Sequence, residues 1–141
     1  MSAGVLLDTH TLLWMVRGDP LRQAAVEAVV AAVAERQLFV SVISAWELGL
    51  LAARGRAVEA VDFHQDPKQW FARAVAAARA RVLPLEADFA IDASLLPEPL
   101  HRDPADRMLI ATARSENLAL VTRDKAILDY AALGHVRAIA C

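Results

Sequence analysis

The sequence has few of the features that mark secreted or membrane proteins. It contains one cysteine, Cys141, and a single cysteine cannot form an internal disulfide. No apolar run is long enough to span a bilayer, and no basic segment precedes Leu6 as a signal peptide would require. We therefore expect a reducing, cytoplasmic setting, no membrane partner, and an incidental surface thiol at Cys141.

Positive charge is also scarce. The net charge is −2, and Lys68 and Lys125 are the only lysines. A generally basic coat for nucleic acid is therefore excluded. The other basic side chains are arginines, which suit bidentate phosphate contacts. A compositional bias of the source genome explains them better, because the chain is also rich in alanine.

Hydrophobic residues, in contrast, make up 57% of the chain, which predicts one well-packed globular domain spanning residues 1–141. Short β-rich runs alternate with segments of helical periodicity. Strands are predicted at residues 5–7, 38–42, 81–85, 118–122 and 136–139. This alternation predicts an α/β fold with a central parallel sheet of about four or five strands and helices on both faces.

Turn and cap residues predict where the helices begin. Pro20 fits the first position of the second helix. Ser44 is predicted to cap the third helix, with Glu47 in its first turn completing a capping box. The polar stretch 54–65 is predicted to be a loop. Asp103, followed by a proline, is predicted to cap a long helix.

Acidic residues occupy equivalent places along this pattern. Asp8 ends the first strand, and ligands of an open parallel sheet bind beyond the carboxyl ends of its strands. Three further acids follow a strand or begin a helix, namely Glu47, Asp106 and Asp124. Each alone is explained by capping or by the helix dipole. Asp106 is redundant as a cap, however, because Asp103 already serves.

Several carboxylates in one crevice repel each other and raise each other's pKa unless a cation compensates them. Hard oxygen ligands suit Mg²⁺ or Mn²⁺. Such a cation is useful where a phosphoryl oxygen is polarised and a water is activated. The four acids together therefore predict a metal site for phosphate chemistry.

Four motifs carry a family resemblance across essentially the whole chain. They are Leu6–His10, Ser41–Leu48, His101–Arg107 with Ile110–Ala113 following, and Leu120–Asp124. In this order they resemble the PIN-domain endoribonucleases, specifically the VapC-type toxins of prokaryotic toxin–antitoxin pairs. The resemblance implies a three-layer α/β/α sandwich and a Mg²⁺- or Mn²⁺-dependent ribonuclease that hydrolyses RNA. It also implies a cognate VapB-like antitoxin as partner, and a homodimer is expected.

The resemblance also implies roles for individual residues. Asp8 and Asp106 take the places of the main metal ligands. Glu47 takes that of a ligand or of the residue that orients the attacking water, and Asp124 binds a second metal or acts through water. Further candidates for contacts to these carboxylates or to the substrate are Thr9, His10, Ser44, Asp103, Arg107 and Thr122.

Other residues near the motifs have two interpretations each. His10 and His101 are expected to be structural or to contact substrate, ahead of a role as general base. Three arginines flank the acids and could hold phosphates, namely Arg102, Arg107 and Arg123. Arg107 could instead pair with Asp103, four residues before it. Trp14 and Trp46 are expected in the core or a dimer interface, ahead of base stacking.

Three other classes of protein were weighed. A haloacid-dehalogenase-like phosphatase also has an Asp after its first strand, but a second Asp follows two residues on, where this chain has His10. A response-regulator receiver has paired early acids and a lysine after a late strand, and neither is evident. A catalytically inactive PIN-like module that binds RNA or protein is the third, and a nuclease assay with Mg²⁺ or Mn²⁺ separates it from the enzyme.

Overall fold

The computed structural model describes residues 4–54 and 66–141. Its five strands form one sheet in which every neighbouring pair is parallel. The strands are β1 (Val5–Leu7), β2 (Leu38–Ser41), β3 (Arg81–Leu83), β4 (Ala119–Thr122) and β5 (Arg137–Ala140). Their order across the sheet is β3-β2-β1-β4-β5. The predicted parallel α/β sheet is thus confirmed.

The first strand lies at the centre of the sheet. Leu7 of β1 is in register with Val40 of β2 on one side and with Val121 of β4 on the other. The chain therefore adds β2 and β3 on one side of β1, and then crosses back to add β4 and β5 on the other side. Such a reversal opens a crevice at the carboxyl ends of the central strands, where ligands of these folds bind.

Helices connect the strands and cover both faces of the sheet. They are α1 (Thr9–Arg17), α2 (Gln23–Ala34), α3 (Val42–Ala53), α4 (Pro67–Ala78), α5 (Ala87–Ser94), α6 (Pro104–Glu116) and α7 (Lys125–Ala132). Successive strand side chains point to opposite faces. Val5 and Leu7 pack with buried residues of α1 to α4, and Leu6 packs with those of α5 to α7. The result is the expected three-layer α/β/α sandwich.

The predicted start of the second helix is wrong. Helix α2 begins at Gln23, and Pro20 lies outside it. The carbonyl oxygen of Pro20 accepts a hydrogen bond of 2.8 Å from Nη2 of Arg123. Because this carbonyl accepts a tertiary hydrogen bond, it does not accept the first backbone hydrogen bond of the helix. The helix instead starts from Arg22, whose carbonyl accepts from the backbone N–H of Ala25.

The predicted cap of the third helix is wrong as well. Ser41 has the extended backbone of a cap residue, and its hydroxyl accepts from the backbone N–H of Ile43 at 3.0 Å. Strand β2 leads into α3 without a loop, so the cap falls three residues before Ser44. Glu47 therefore lies beyond the first turn and is no part of a capping box.

The expected exposure of Cys141 is wrong. Cys141 is buried, with its Sγ 3.4 Å from the hydroxyl of Thr11, so it is not a surface thiol. Trp46 is 53% exposed, which excludes the core and leaves the dimer interface expected for it as a prediction. The predicted loop at 54–65 falls, apart from Arg54, outside the described residues. Among the described helices, none is long and apolar enough to cross a membrane.

Candidate metal centre

The four predicted acids line one cavity of about 320 Å³ at the carboxyl ends of the central strands. Its carboxylates come from Asp8, Glu47, Asp103, Asp106 and Asp124, and His10, Trp14 and Arg123 complete the wall. The acids belong to segments far apart in the sequence. The parallel sheet brings them together because its strand ends share one edge.

Asp8 is both a helix cap and a wall of the cavity. Its Oδ1 accepts from the backbone N–H of Thr9 at 2.7 Å, and its Oδ2 accepts from the hydroxyl of Thr122 at 2.6 Å. The side chain is 8% exposed. Burial raises the pKa of this carboxyl above its usual value, and the two hydrogen bonds oppose the rise. The carboxylate is therefore fixed in orientation.

Thr122 links Asp8 to the fourth acid. The Thr122 hydroxyl, which donates to Asp8, accepts from the backbone N–H of Asp124 at 3.0 Å. The Oδ1 of Asp124 caps α7 by accepting from the backbone N–H of Ile127 at 3.1 Å. The loop after β4 is thus tied to the end of β1, and the remaining Asp124 oxygen has no protein donor among the described residues.

Glu47 is held by the start of α1. The Thr9 hydroxyl donates to Oε1 of Glu47 at 2.5 Å, and the hydroxyl oxygens of Thr9 and Ser44 lie 2.8 Å apart. Burial raises the pKa of the Glu47 carboxyl, and the charge of Asp8 adds to the rise. Thr9 therefore makes the carboxylate contact that the sequence suggested, whereas Ser44 contacts the Thr9 hydroxyl and no carboxylate among the described residues.

Asp106 lies at the electrostatic centre of the cluster. Burial, the largest cause, and the charges of the four other acids together raise the pKa of its carboxyl to about 8. These acids are Asp8, Asp103, Asp124 and Glu47. The backbone N–H of Asp106 donates to Oδ1 of Asp103 at 3.1 Å, so Asp103 is the cap of α6 as predicted. The Asp106 side chain is thereby left for the cavity.

His101 contacts this carboxylate, which the sequence motif alone did not reveal. Its Nε2 lies 3.3 Å from Oδ2 of Asp106. Its Nδ1 accepts from the backbone N–H of Asp103 at 3.2 Å, so a neutral ring has its proton on Nε2. His101 is thus placed as a donor to Asp106. Its spacing to Asp103 and Asp106 was visible in the sequence and is the signal that could have found it.

Arg107 is engaged by two backbone carbonyls. Its Nε donates to the carbonyl of Ala93 at 2.8 Å, and its Nη1 donates to the carbonyl of His101 at 3.1 Å. It does not pair with Asp103, and the contact to phosphate or substrate suggested for it stays a prediction. Arg107 therefore fixes the loop that carries His101.

Two other flanking residues remain near the cavity. The ring of His10 lies 5.9 Å from that of Trp14, centroid to centroid. The guanidinium of Arg123 lies 3.9 Å from the centre of the Trp14 ring, and its Nε donates to the Cys141 carbonyl oxygen at 2.9 Å. The substrate contacts expected of His10 and Arg123 stay predictions.

The donor set fits a hard divalent cation. Carboxylate oxygens of Asp106 and Asp124 lie within 4.8 Å of each other, and a ring nitrogen of His101, which donates to Asp106, lies within the same distance of both. Carboxylate oxygens are what Mg²⁺ and Mn²⁺ prefer. The raised pKa values of Asp8, Glu47 and Asp106 record a repulsion that such a cation would relieve.

Comparisons with known proteins agree with this geometry. The family model of the PIN domain matches residues 5–133. Ribonuclease VapC22 from Mycobacterium tuberculosis is 32% identical over 127 residues, which are 89% of this chain and 91% of that protein.

Two solved structures share the fold at low sequence identity. VapBC2 from Rickettsia felis, bound to a promoter DNA fragment, matches with a TM-score of 0.69 and 13% identity, covering 96% of this chain and 97% of that one. DNA-bound VapBC from Salmonella typhimurium matches with a TM-score of 0.65 and 19% identity, covering 98% of each chain. On the family model and the mycobacterial relative, this chain belongs to the PIN domain family.

Proposed function

We propose that this protein is a metal-dependent endoribonuclease and the toxin of a type II toxin–antitoxin pair. The observation that carries the proposal is the convergence of Asp8, Glu47, Asp106 and Asp124 on one cavity. The relative named above as a ribonuclease supports the choice of RNA as substrate. An enzyme that cuts RNA acts where RNA is abundant, and we assign it to the cytoplasm and to one domain over residues 1–141.

In the proposed mechanism, Asp8 and Asp106 would hold Mg²⁺ or Mn²⁺, and Asp124 would hold a second ion or act through water. When bound, such an ion would supply polarisation of a phosphoryl oxygen and activation of a water. Asp8 presents its carboxylate in one orientation because Thr9 and Thr122 both donate to it. Mutation of a residue that hydrogen-bonds to a metal ligand commonly lowers metal affinity or activity by about 10- to 100-fold.

Glu47 orients the attacking water in this mechanism. Its Oε1 is engaged by Thr9, which leaves Oε2 to accept a hydrogen bond from water in the cavity. Burial raises the pKa of Glu47, which makes its carboxylate a better proton acceptor. His101 donates to Asp106 and holds that carboxylate in place.

A cleavage assay tests the proposal. Purified protein is incubated with single-stranded RNA in Mn²⁺, in Mg²⁺ and in EDTA, and the products are separated on a denaturing gel. Internal cleavage is expected with either ion and none in EDTA. Binding without cleavage in all three conditions would favour the inactive PIN-like module, and phosphate release from small esters would favour a phosphatase.

We also propose that the chain forms a homodimer and binds a VapB-like antitoxin. The proteins with similar structures are VapBC complexes. Sedimentation at micromolar concentration is expected to give a dimer. The small protein encoded by a neighbouring reading frame is expected to co-purify with the chain and to abolish RNA cleavage. A monomer at every concentration, or a neighbour that neither binds nor inhibits, would contradict these two statements respectively.

A further inference from the structure

A second cavity opens beside the acidic one. Its volume is about 300 Å³, and Thr9, His10, Glu47 and Asp103 form the part of its wall nearest the acids. Three of these residues, all but Thr9, also line the acidic cavity. The two cavities are therefore neighbours that share a wall.

One face of α3 supplies the opposite wall. Trp46, Leu50 and Arg54 follow each other at intervals of four residues and so lie in a row along the helix. Trp46 directly precedes Glu47 of the metal centre, and its indole is 53% exposed. It is not among the residues that pack against either core cluster. Its exposure thus has no explanation in the packing of the described chain.

The chemistry of this second cavity matches a nucleobase. A base has two flat apolar faces and a polar edge. The cavity has an indole and apolar side chains on its walls, including Leu51 and Pro104, and polar groups at Thr9 and Asp103. The cation of Arg54 suits the phosphates of the same strand. A base stacked on an aromatic side chain contributes to binding whatever its identity, because every base has a π-face.

We infer that Trp46 stacks on the base of a nucleotide next to the scissile phosphate, so that this cavity sets how RNA lies across the acids. The inference rests on the proposed ribonuclease activity and extends it to a binding residue. Trp46 touches substrate without taking part in bond cleavage. Replacing Trp46 is therefore expected to lower the affinity for RNA, while the rate at which bound RNA is cleaved changes little.

Two substitutions of Trp46 test the inference. Trp46→Leu removes the flat ring, and Trp46→Phe keeps a smaller one. With an RNA oligonucleotide cut at one mapped position, Trp46→Leu is expected to raise KM roughly tenfold, within the range of base–aromatic stacking, with kcat within about twofold. Trp46→Phe is expected to recover most of the affinity. Fluorescence anisotropy of the same oligonucleotide in EDTA measures the affinity without cleavage.

A modified substrate locates the contact. Removing the base at each position flanking the cut, one at a time, is expected to weaken binding to the wild type at one position only. At that position Trp46→Leu should bind the abasic and intact oligonucleotides equally well. Leu95→Ala is the matched control, because Leu95 is an exposed apolar side chain that lines neither of these cavities.

The outcomes separate the inference from the function on which it rests. If the wild type neither cuts nor binds RNA, the ribonuclease proposal fails and the inference fails with it. If the wild type cuts RNA and Trp46→Leu has the wild-type KM, only the inference is overturned. A Trp46→Leu variant that alters only sedimentation or antitoxin binding likewise overturns it, and assigns the indole to a protein interface.

Discussion

Asp8→Asn and Asp106→Asn are each expected to lower the rate of Mn²⁺-dependent RNA cleavage at least about 100-fold, with circular-dichroism spectra like that of the wild type. Loss of a residue that merely supports a metal ligand costs 10- to 100-fold, so loss of the ligand itself should cost at least as much. The amide keeps the size of the carboxyl but has no negative charge. Single-turnover cleavage measures the effect on the chemical step.

The control for this comparison is Asp92→Asn. Asp92 lies in α5 and does not line the acidic cavity. The control is expected to cleave at the wild-type rate. Full activity in either Asp8→Asn or Asp106→Asn would remove that residue from the metal site and leave the proposed mechanism without one of its two main ligands.

The second large effect is expected in thermal stability, and metal should reduce it. In EDTA, Asp106→Asn should melt above the wild type near pH 8. Burial and four neighbouring charges raise the pKa of Asp106 to about 8 in the folded protein, from an ordinary value of 3.8. A carboxyl with a raised folded-state pKa stabilises the fold below its unfolded pKa, and that contribution is lost as pH rises through the folded pKa.

The difference in melting temperature between Asp106→Asn and the wild type in EDTA should therefore be small at about pH 4 and grow up to pH 8. In Mn²⁺ the gap between the melting temperatures of the two proteins should narrow. At a free concentration roughly ten times Kd, the wild type gains about 1.4 kcal/mol, which is a rise of about 4 °C for a chain of this size. Asp106→Asn should gain little. An equal Mn²⁺-dependent shift in both proteins would show that Asp106 is not a ligand.

Asp106 is a better choice for this experiment than Asp8. Both Asp8 oxygens accept hydrogen bonds, from Thr9 and Thr122. An amide in place of that carboxylate directs its NH₂ group at one of these donors and leaves a buried group unsatisfied, which costs about 1–3 kcal/mol. The repulsion that is relieved and the hydrogen bond that is lost would then partly cancel.

The sequence was most informative where local rules and tertiary structure agree. Asp8 could be predicted because an acid that ends a buried strand of a parallel sheet faces the ligand crevice. Asp106 could be predicted because Asp103 already caps α6, as its hydrogen bond to the Asp106 N–H confirms. In both cases the observation depends on neighbours within a few residues.

The sequence was misleading where contacts with residues distant in the chain determine a helix start or the partners of a side chain. Ser44 looks like a cap, but the pairing of β2 with β1 and β3 fixes where that strand ends, and the cap moves to Ser41. Arg107 looks available to pair with Asp103, but two backbone carbonyls from other segments hold it. Such contacts depend on the assembled fold, and no local pattern encodes them.

The central position of β1 has a consequence during synthesis. Asp8 is made well before Thr122, and its hydrogen bond to Thr122 joins residues 114 positions apart, so β4 must pair with β1 before that bond can form. Contacts between such distant residues form late in folding. A nascent chain on the ribosome therefore has no complete acid cluster until β4 and Asp124 have emerged. Under the proposed function, RNA cleavage begins only then, and a partner that binds the finished fold meets the chain when it first becomes active.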